Sequence, residues 1–558
     1  MNTYRGRICY TLALLIFLTG CLRAQRRHPA ASTTSGGPLR AEQAAFDVHF
    51  YDLRIRVLPE EQALIGALTM EAHVVQPSNR FLLHLDTLLT VDSVSDTRQK
   101  GITFQHTPSG ELWLEYPLTR QPGEQLSVTI RYHGKPRVAP NPPWIGGFVW
   151  DHTPDGQPWI GVACQQDGAD LWWPVKDHPS DEPDSMAIHI TVPQPLIAAS
   201  NGRLRGITPH GDSTQTFHWF VSTPINTYNV TLNIAPYVHL KDVYHSITGE
   251  DVPMHLFVLP RHEQKARKRI SEFKRQLHFF ESLLGPYPFR ADKYGLAEAP
   301  FLGMEHQTLI AYGYDFKHNE FGYDWLHHHE LSHEWWGNMV TVYDWRDFWL
   351  HEGLGTYMQP LYVEQLHGRE AYIKNMLQFR SQIVNEVPVA PRESKSTREI
   401  YFLPPDYTRS NLDIYYKGAW ILHTLRYLVG DTTIFHVLRR MSYPDPALEQ
   451  THRGQACRFA TTDDFLHLLE EATGRDFDWF FDVYLRQPAL PRLEHRIQNN
   501  RLILWWDVPH QMPFPMPVEV RINQHIQRID LSEGKASIPL PPGAEVVIDP
   551  HHWLLKAE

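Results

Sequence analysis

Residues 323–338 read YDWLHHHELSHEWWGN, and residues 347–357 read DFWLHEGLGTY. The first stretch contains His329-Glu330-Leu331-Ser332-His333. Positions four apart share one face of a helix, so both imidazoles can reach a single cation with Glu330 beside them. Zinc then needs a third protein ligand and a position left open. The second stretch offers Glu352, with eighteen residues between it and His333. Gly337-Asn338 supplies a helix stop that turns the chain back, and Trp349, Leu350 and Leu354 are apolar flanks for a second buried helix. A carboxylate buried there needs a partner, and a zinc ion is one. Pro360 predicts a kink or an early end in that helix. His327, His328 and His351 fall off the ligand register and read as bystanders or as supports for the ligands.

Outward from this pair of stretches, the text changes twice. Residues 45–247 alternate apolar and polar positions in short runs such as YDLRIRVL (51–58), QLSVTIRYH (125–133) and MAIHITV (186–192), broken by Pro, Gly, Asn and Asp. That is the pattern of a β-rich domain. Residues 248–488 are mostly helical in pattern. Ile270, Phe273, Leu277, Phe280 and Leu284 recur at helical spacing, and AWILHTLRYLV (419–429) and DDFLHLLEEAT (463–473) continue the theme. Residues 489–558 return to strands, as in RLILWWDV (501–508) and PVEVRI (517–522), and predict a small β-sandwich-like domain. The fold class is therefore multidomain α+β.

Composition bounds the function. The chain has 558 residues, 42% hydrophobic and 21% charged, with 17 Trp, 24 Tyr and 26 Phe, which suits several packed cores. A formal charge of −11 argues against a nucleic-acid-wrapping surface, which needs a basic excess. The 33 His make metal chemistry a natural question. Four Cys in so long a chain are no disulfide framework. Cys164 and Cys457 lie in the folded body, as a pair or as two buried thiols.

Residues 1–24 read as a signal peptide: Arg5 and Arg7 precede an apolar run from Ile8 to Leu18, too short to span a bilayer, which takes about 20 residues. The run ends in Leu18-Thr19-Gly20-Cys21, similar to the bacterial lipobox, whose Cys carries lipid. Two readings stay open: a protein anchored outside the cytoplasm through Cys21, or cleavage after Ala24 to give a soluble periplasmic or secreted one. Residues 25–44, polar and rich in small side chains, read as a flexible tether.

The HEXXH phrase, the spacing of eighteen and the Glu inside a Trp-Leu-x-Glu-Gly phrase resemble peptidase family M1, the gluzincin zinc aminopeptidases. So do His49-Phe50-Tyr51-Asp52-Leu53, the turn Gly285-Pro286-Tyr287-Pro288-Phe289 and the loop Gly303-Met304-Glu305-His306-Gln307-Thr308. The resemblance implies a thermolysin-like catalytic domain over 248–488, in a short bacterial form without the helical fourth domain of many relatives. It implies one zinc per chain on His329, His333 and Glu352, with Glu330 as the general base.

It also assigns the residues that would make the protein an exopeptidase. The family's Gly-x-Met-Glu-Asn loop matches Leu302-Gly303-Met304-Glu305-His306, so Gly303, Met304 and Glu305 bind substrate, with Glu305 anchoring its ammonium. Leu302 and His306 depart from the pattern. A second anchor matches Gln165, nine residues before Pro174, with Gln166 as its rival. The family's transition-state Tyr, in a Tyr-x-Lys-Gly phrase, matches Tyr415, with Tyr416 as rival. Gln359 stands where relatives usually carry Glu, and would weaken support of the zinc ligands.

The function implied is a metallo-aminopeptidase acting on peptides. Two alternatives come from other classes: a thermolysin-like endopeptidase, which has no use for an amine anchor, and an inactive peptide-binding scaffold, which would be expected to have lost Glu330 or a ligand. The preferred N-terminal residue and the oligomeric state are not legible.

Overall fold

The computed structural model describes residues 35–96 and 101–557. The long strand Phe46–Leu58 organises the N-terminal part: Tyr51, Leu53, Ile55 and Val57 alternate inward, while Arg54 and Arg56 point to solvent. It lies within a seven-stranded sheet ordered Arg203–Pro209, Thr214–Val221, Ser185–Pro193, Phe46–Leu58, Ala63–Val74, Gln125–Gly134, Leu89–Asp96. A four-stranded sheet runs Ile197–Ser200, Leu232–Ala235, Pro158–Ala163, Gly147–His152. Its strand Pro158–Ala163 leads directly into Gln165.

The middle part starts on a five-stranded sheet of β1 (Val238–His245), β2 (Asp251–Val258), β3 (Tyr294–Glu298), β4 (Gly303–Met304) and β5 (Ile310–Tyr312), in the order β1-β2-β3-β5-β4. β4, the edge strand, is antiparallel to β5. Between β2 and β3 runs α1 (Glu263–Leu284), with Ile270, Phe273, Leu277, Phe280 and Leu284 on its buried face. Gly285, at φ +102°, ends it in a conformation that suits glycine. The helices that carry or flank the site are α2 (Trp325–Ser332), α3 (Trp349–His367), α4 (Arg369–Arg380) and α5 (Tyr416–Val429). The last part holds two three-stranded antiparallel sheets, Arg492–Gln498, Arg501–Asp507, Lys535–Pro539 and His525–Ile529, Val518–Ile522, Val546–Ile548. The multidomain α+β architecture expected from the sequence is the one observed.

Several expectations need correction. Residues 35–44 are packed rather than free: Ser35 is buried, Gly36 bridges Ser396, His178 bonds the Gly37 carbonyl at 2.9 Å, and Ala41–Ala44 form one helical turn. Low hydropathy concealed the backbone pairing that fixes them. The change of sheet falls between Ala235 and Val238, ahead of the 247/248 boundary, because β1 pairs with β2. Alternation says that a strand exists and not which sheet it joins. α3 runs through Pro360 to His367, so the early end expected there does not occur. Cys164 and Cys457 are both free, and the Cys164 thiol donates to the Tyr228 carbonyl at 3.3 Å. Among the described residues no helix is long and apolar enough to cross a membrane. The signal peptide, Cys21 and residues 25–34 lie outside the described residues.

Candidate active site: a buried metal centre among three carboxylates

α2 begins at Asp324, whose carboxylate accepts the His327 N–H at 3.1 Å as an N-cap and also the Tyr312 hydroxyl. The helix ends at Ser332, earlier than the stop expected at Gly337-Asn338. His333 is its C-cap, yet keeps αR backbone angles, so its ring still stands one turn beyond His329. The two Nε2 atoms are 3.3 Å apart, and Glu352 Oε2 lies 3.6 Å from that of His329 and 3.5 Å from that of His333. A tetrahedral zinc with bonds of 2.0–2.1 Å needs ligand atoms about 3.3 Å apart, close to these separations. Glu352 Oε2 is buried without a hydrogen-bond partner, an arrangement a cation satisfies. The far sides of the rings are also engaged: His333 Nδ1 meets the Trp336 carbonyl at 2.9 Å, and His329 Nδ1 meets the Gln359 amide at 3.3 Å. His329, His333 and Glu352 therefore fit one zinc ion.

The other histidines of these stretches are core residues. His327 stacks on Phe273 at 3.7 Å and bonds Gln276 and Tyr294, whereas His328 sits among Phe279, Phe280 and Tyr362. His351 accepts the Val342 N–H at 3.0 Å.

A cavity of about 280 Å³ opens at this centre. Glu330, Glu305, Gln165, Gly303, Met304 and Tyr415 all line it, together with His329 and Glu352. Gly303 is glycine for a local reason, since a methyl group there would lie 2.6 Å from Glu330 Oε1. Glu305 Oε1 accepts from the Gln165 amide and, at 3.2 Å, from the Tyr228 hydroxyl. Gln165 reaches Glu352 Oε1 as well, at 3.4 Å. Gln166 turns away: its amide is buried outside the cavity and its carbonyl accepts from Thr397. Tyr415 donates to Glu352 Oε1 at 3.0 Å and meets the Tyr401 hydroxyl at 2.7 Å. Tyr416 also lines the cavity, but its ring packs on Phe379 at 5.1 Å.

Three carboxylates share this space with no Lys or Arg among the described lining residues. Burial, then the charges of Glu305 and Glu352, push the Glu330 carboxyl well above its ordinary range. Burial and Glu305 do the same to Glu352. Burial raises Glu305, against the pull of His333. Burial, then Glu352, holds the Tyr415 phenol protonated. His306, in the position that departs from the family pattern, is fully buried with neither ring nitrogen hydrogen-bonded, and burial lowers its pKa to about 3.

Sequence reasoning missed Tyr228 and Tyr401. Tyr228 comes from the β-rich part and Tyr401 from a short helix, and nothing in their sequence surroundings aims either at the cavity. Asn338, read as a helix stop, also donates to the Glu305 carbonyl at 3.1 Å and so fixes the anchor loop.

Comparison with known proteins decides the family. Residues 274–484 match the peptidase family M1 domain and residues 48–229 the peptidase M1 N-terminal domain. The chain belongs to peptidase family M1. An M1 zinc metallopeptidase of Deinococcus radiodurans, solved as a Glu-to-Ala mutant with a Tyr-Ser-Ala substrate, superposes with a TM-score of 0.64 at 24% identity over 80% of this chain and 95% of that one. A two-domain M1 zinc metallopeptidase bound to L-tryptophan gives 0.64 at 23%, over 82% and 98%. Human glutamyl aminopeptidase is 25% identical over 79% of this chain and 47% of its own length. Rat endoplasmic reticulum aminopeptidase 1 is 26% identical over 76% and 47%. The chain thus spans about half the length of these curated relatives.

Proposed function

We propose that this M1 protein is a zinc aminopeptidase that removes single residues from the N-termini of peptides. The observation that carries the reading is Glu305, a carboxylate paired with Gln165 at the wall of the zinc cavity. An endopeptidase has no use for such a group. The relatives named aminopeptidases, and the related structures holding a tripeptide or a single amino acid, support the same reading.

His329, His333 and Glu352 would hold the zinc ion, whose Lewis acidity would be available to a carbonyl and to water at this centre. Glu305 and the Gln165 amide oxygen accept the substrate ammonium, which sets the first peptide bond beside Glu330. For Gln165 this needs the amide turned over from the orientation in which its nitrogen faces Glu305. Glu330 takes a proton from the attacking water and returns it to the leaving amine. Tyr415, kept protonated by its surroundings, turns its hydroxyl from Glu352 to the oxyanion. In a time course by mass spectrometry, a peptide should shorten one residue at a time from its N-terminus, and internal cuts as first products would contradict the reading.

The N-terminal segment supports export, with Cys21 as the site of a lipid anchor and cleavage after Ala24 as the alternative. Cys21→Ala should move the protein from the detergent phase to the aqueous phase; a variant that stays in detergent contradicts the anchor.

A further inference from the structure

The cavity wall also defines which first residue the site takes, an inference that rests on the aminopeptidase reading. With the ammonium at Glu305 and Gln165 and the carbonyl between Glu330 and Tyr415, the carbon joining them is fixed. Its side chain must leave toward the wall beside the anchor. Of the residues lining the cavity, those nearest the anchor along the chain are Leu302 and Met304, which flank Gly303 just ahead of Glu305, and Pro143 and Trp144, just ahead of the Gly146 that bonds Asp167. The loop that carries Trp144 is held against residues 163–167: Asn141 bridges Ile145, the Gly146 N–H donates to Asp167 at 2.6 Å, and a methyl group on Gly146 would lie 2.6 Å from the Ala163 carbonyl. Leu302 is pinned where its carbonyl accepts the Gly313 N–H at 2.7 Å.

Charge points the same way as shape. Among the described lining residues the carboxylates are Glu305, Glu330 and Glu352, each already given a task, and none is a Lys or Arg. A zinc ion and one ammonium together offset those three carboxylates. An acidic first side chain would add a charge with no partner in a buried site, and a lysine would lose its hydration against an apolar wall.

We propose that Trp144 and Leu302 make this a site for uncharged aliphatic and aromatic N-terminal residues, one that turns away N-terminal Asp and Glu. The test is kcat/KM on Xaa-Ala-Ala peptides with Leu, Phe, Ala, Lys or Glu first. A single methylene in an apolar pocket is worth about 10-fold or more, so Leu and Phe should exceed Ala by at least that. An unpaired buried charge costs more, so Leu should exceed Glu by about 100-fold. Trp144→Ala should lower the Leu-to-Ala ratio. Leu302→Arg supplies the missing cation and should raise Glu relative to Leu by about 10-fold, a gain that general damage cannot mimic. Independently of turnover, free L-leucine should raise the Tm of the wild-type protein and L-glutamate should not. Glu or Lys peptides trimmed as fast as Leu peptides would overturn the proposal and leave the aminopeptidase reading standing. Peptides cut only at internal bonds would overturn both.

Discussion

Gly418 and Gly353 touch backbone to backbone: a methyl group on Gly418 would lie 2.9 Å from the Gly353 Cα, and one on Gly353 would lie 3.1 Å from the Gly418 Cα. One glycine follows Glu352 and the other closes the Tyr415-Tyr416-Lys417-Gly418 phrase. Their contact lets α3 and α5 cross closely enough for the Tyr415 hydroxyl to reach Glu352 Oε1 at 3.0 Å. Gly418→Ala should cost about 1–3 kcal/mol, the scale of an overpacked core, and lower the Tm. Because it also moves Tyr415, turnover should fall by more than the unfolded fraction explains. A melting curve and kcat on the same preparation check this.

Binding the metal and using it are separable. Glu330 touches no ligand in this arrangement, so Glu330→Gln should keep zinc while losing about 100-fold or more in turnover. Tyr415→Phe should lose about 100-fold to 1000-fold, the scale of a missing oxyanion donor. Tyr416→Phe, on a ring packed against Phe379, should lose far less. Metal analysis beside kcat distinguishes these outcomes, and a crippled Tyr416 variant with a healthy Tyr415 one would reverse the assignment.

The two metal phrases were legible because the first encodes a local rule, i and i+4 on one helix face, and the second supplies a carboxylate among apolar flanks; the close approach of Gly353 and Gly418 was not, since it depends on how two helices cross. Glu305 and Tyr415 were legible only through the resemblance, since nothing in their spacing fixes a direction. What remained hidden depends on tertiary contact. Tyr228 reaches Glu305 from another domain, β1 chooses its sheet by pairing, and residues 35–44 gain their order from backbone bridges to segments far along the chain.

The Gln359 amide nitrogen stands 3.3 Å from His329 Nδ1 where relatives usually carry a carboxylate; zinc on Nε2 leaves the ring proton on Nδ1, so the amide must turn its oxygen to the ring to accept it. Gln359→Glu should orient that ring more firmly and raise its basicity, improving zinc retention about 10-fold, the lower end of such supporting effects. Zinc release to a chelator, followed by a colorimetric dye, measures it. Faster release from the variant would show that the amide is the better partner here.

Asp324 caps the helix that carries the zinc histidines, and burial raises its pKa from 3.8 to about 7. The folded protein therefore holds a proton there that the unfolded chain releases near pH 4. The stability from that proton is complete below about pH 4, is lost progressively as pH rises to about 7, and changes no further above it. Asp324→Asn keeps a capping oxygen and removes the titration. Its Tm should depend less on pH between 4 and 7 than that of the wild type, and an unchanged slope would rule out Asp324 as the source.

The central claim is that the site measures a free N-terminal ammonium. An ammonium beside Glu305 gains a charge-assisted hydrogen bond, whereas a neutral acetamide leaves that buried carboxylate unpaired, a difference of about 2–5 kcal/mol. The direct measurement is the rate of cleavage of one decapeptide with its N-terminus free and acetylated, by wild type and by Glu305→Ala, at equal zinc content. Acetylation should slow the wild type at least about 30-fold, and Glu305→Ala should narrow the gap by losing activity on the free peptide. Equal rates on both peptides, with internal bonds cut first, would contradict it.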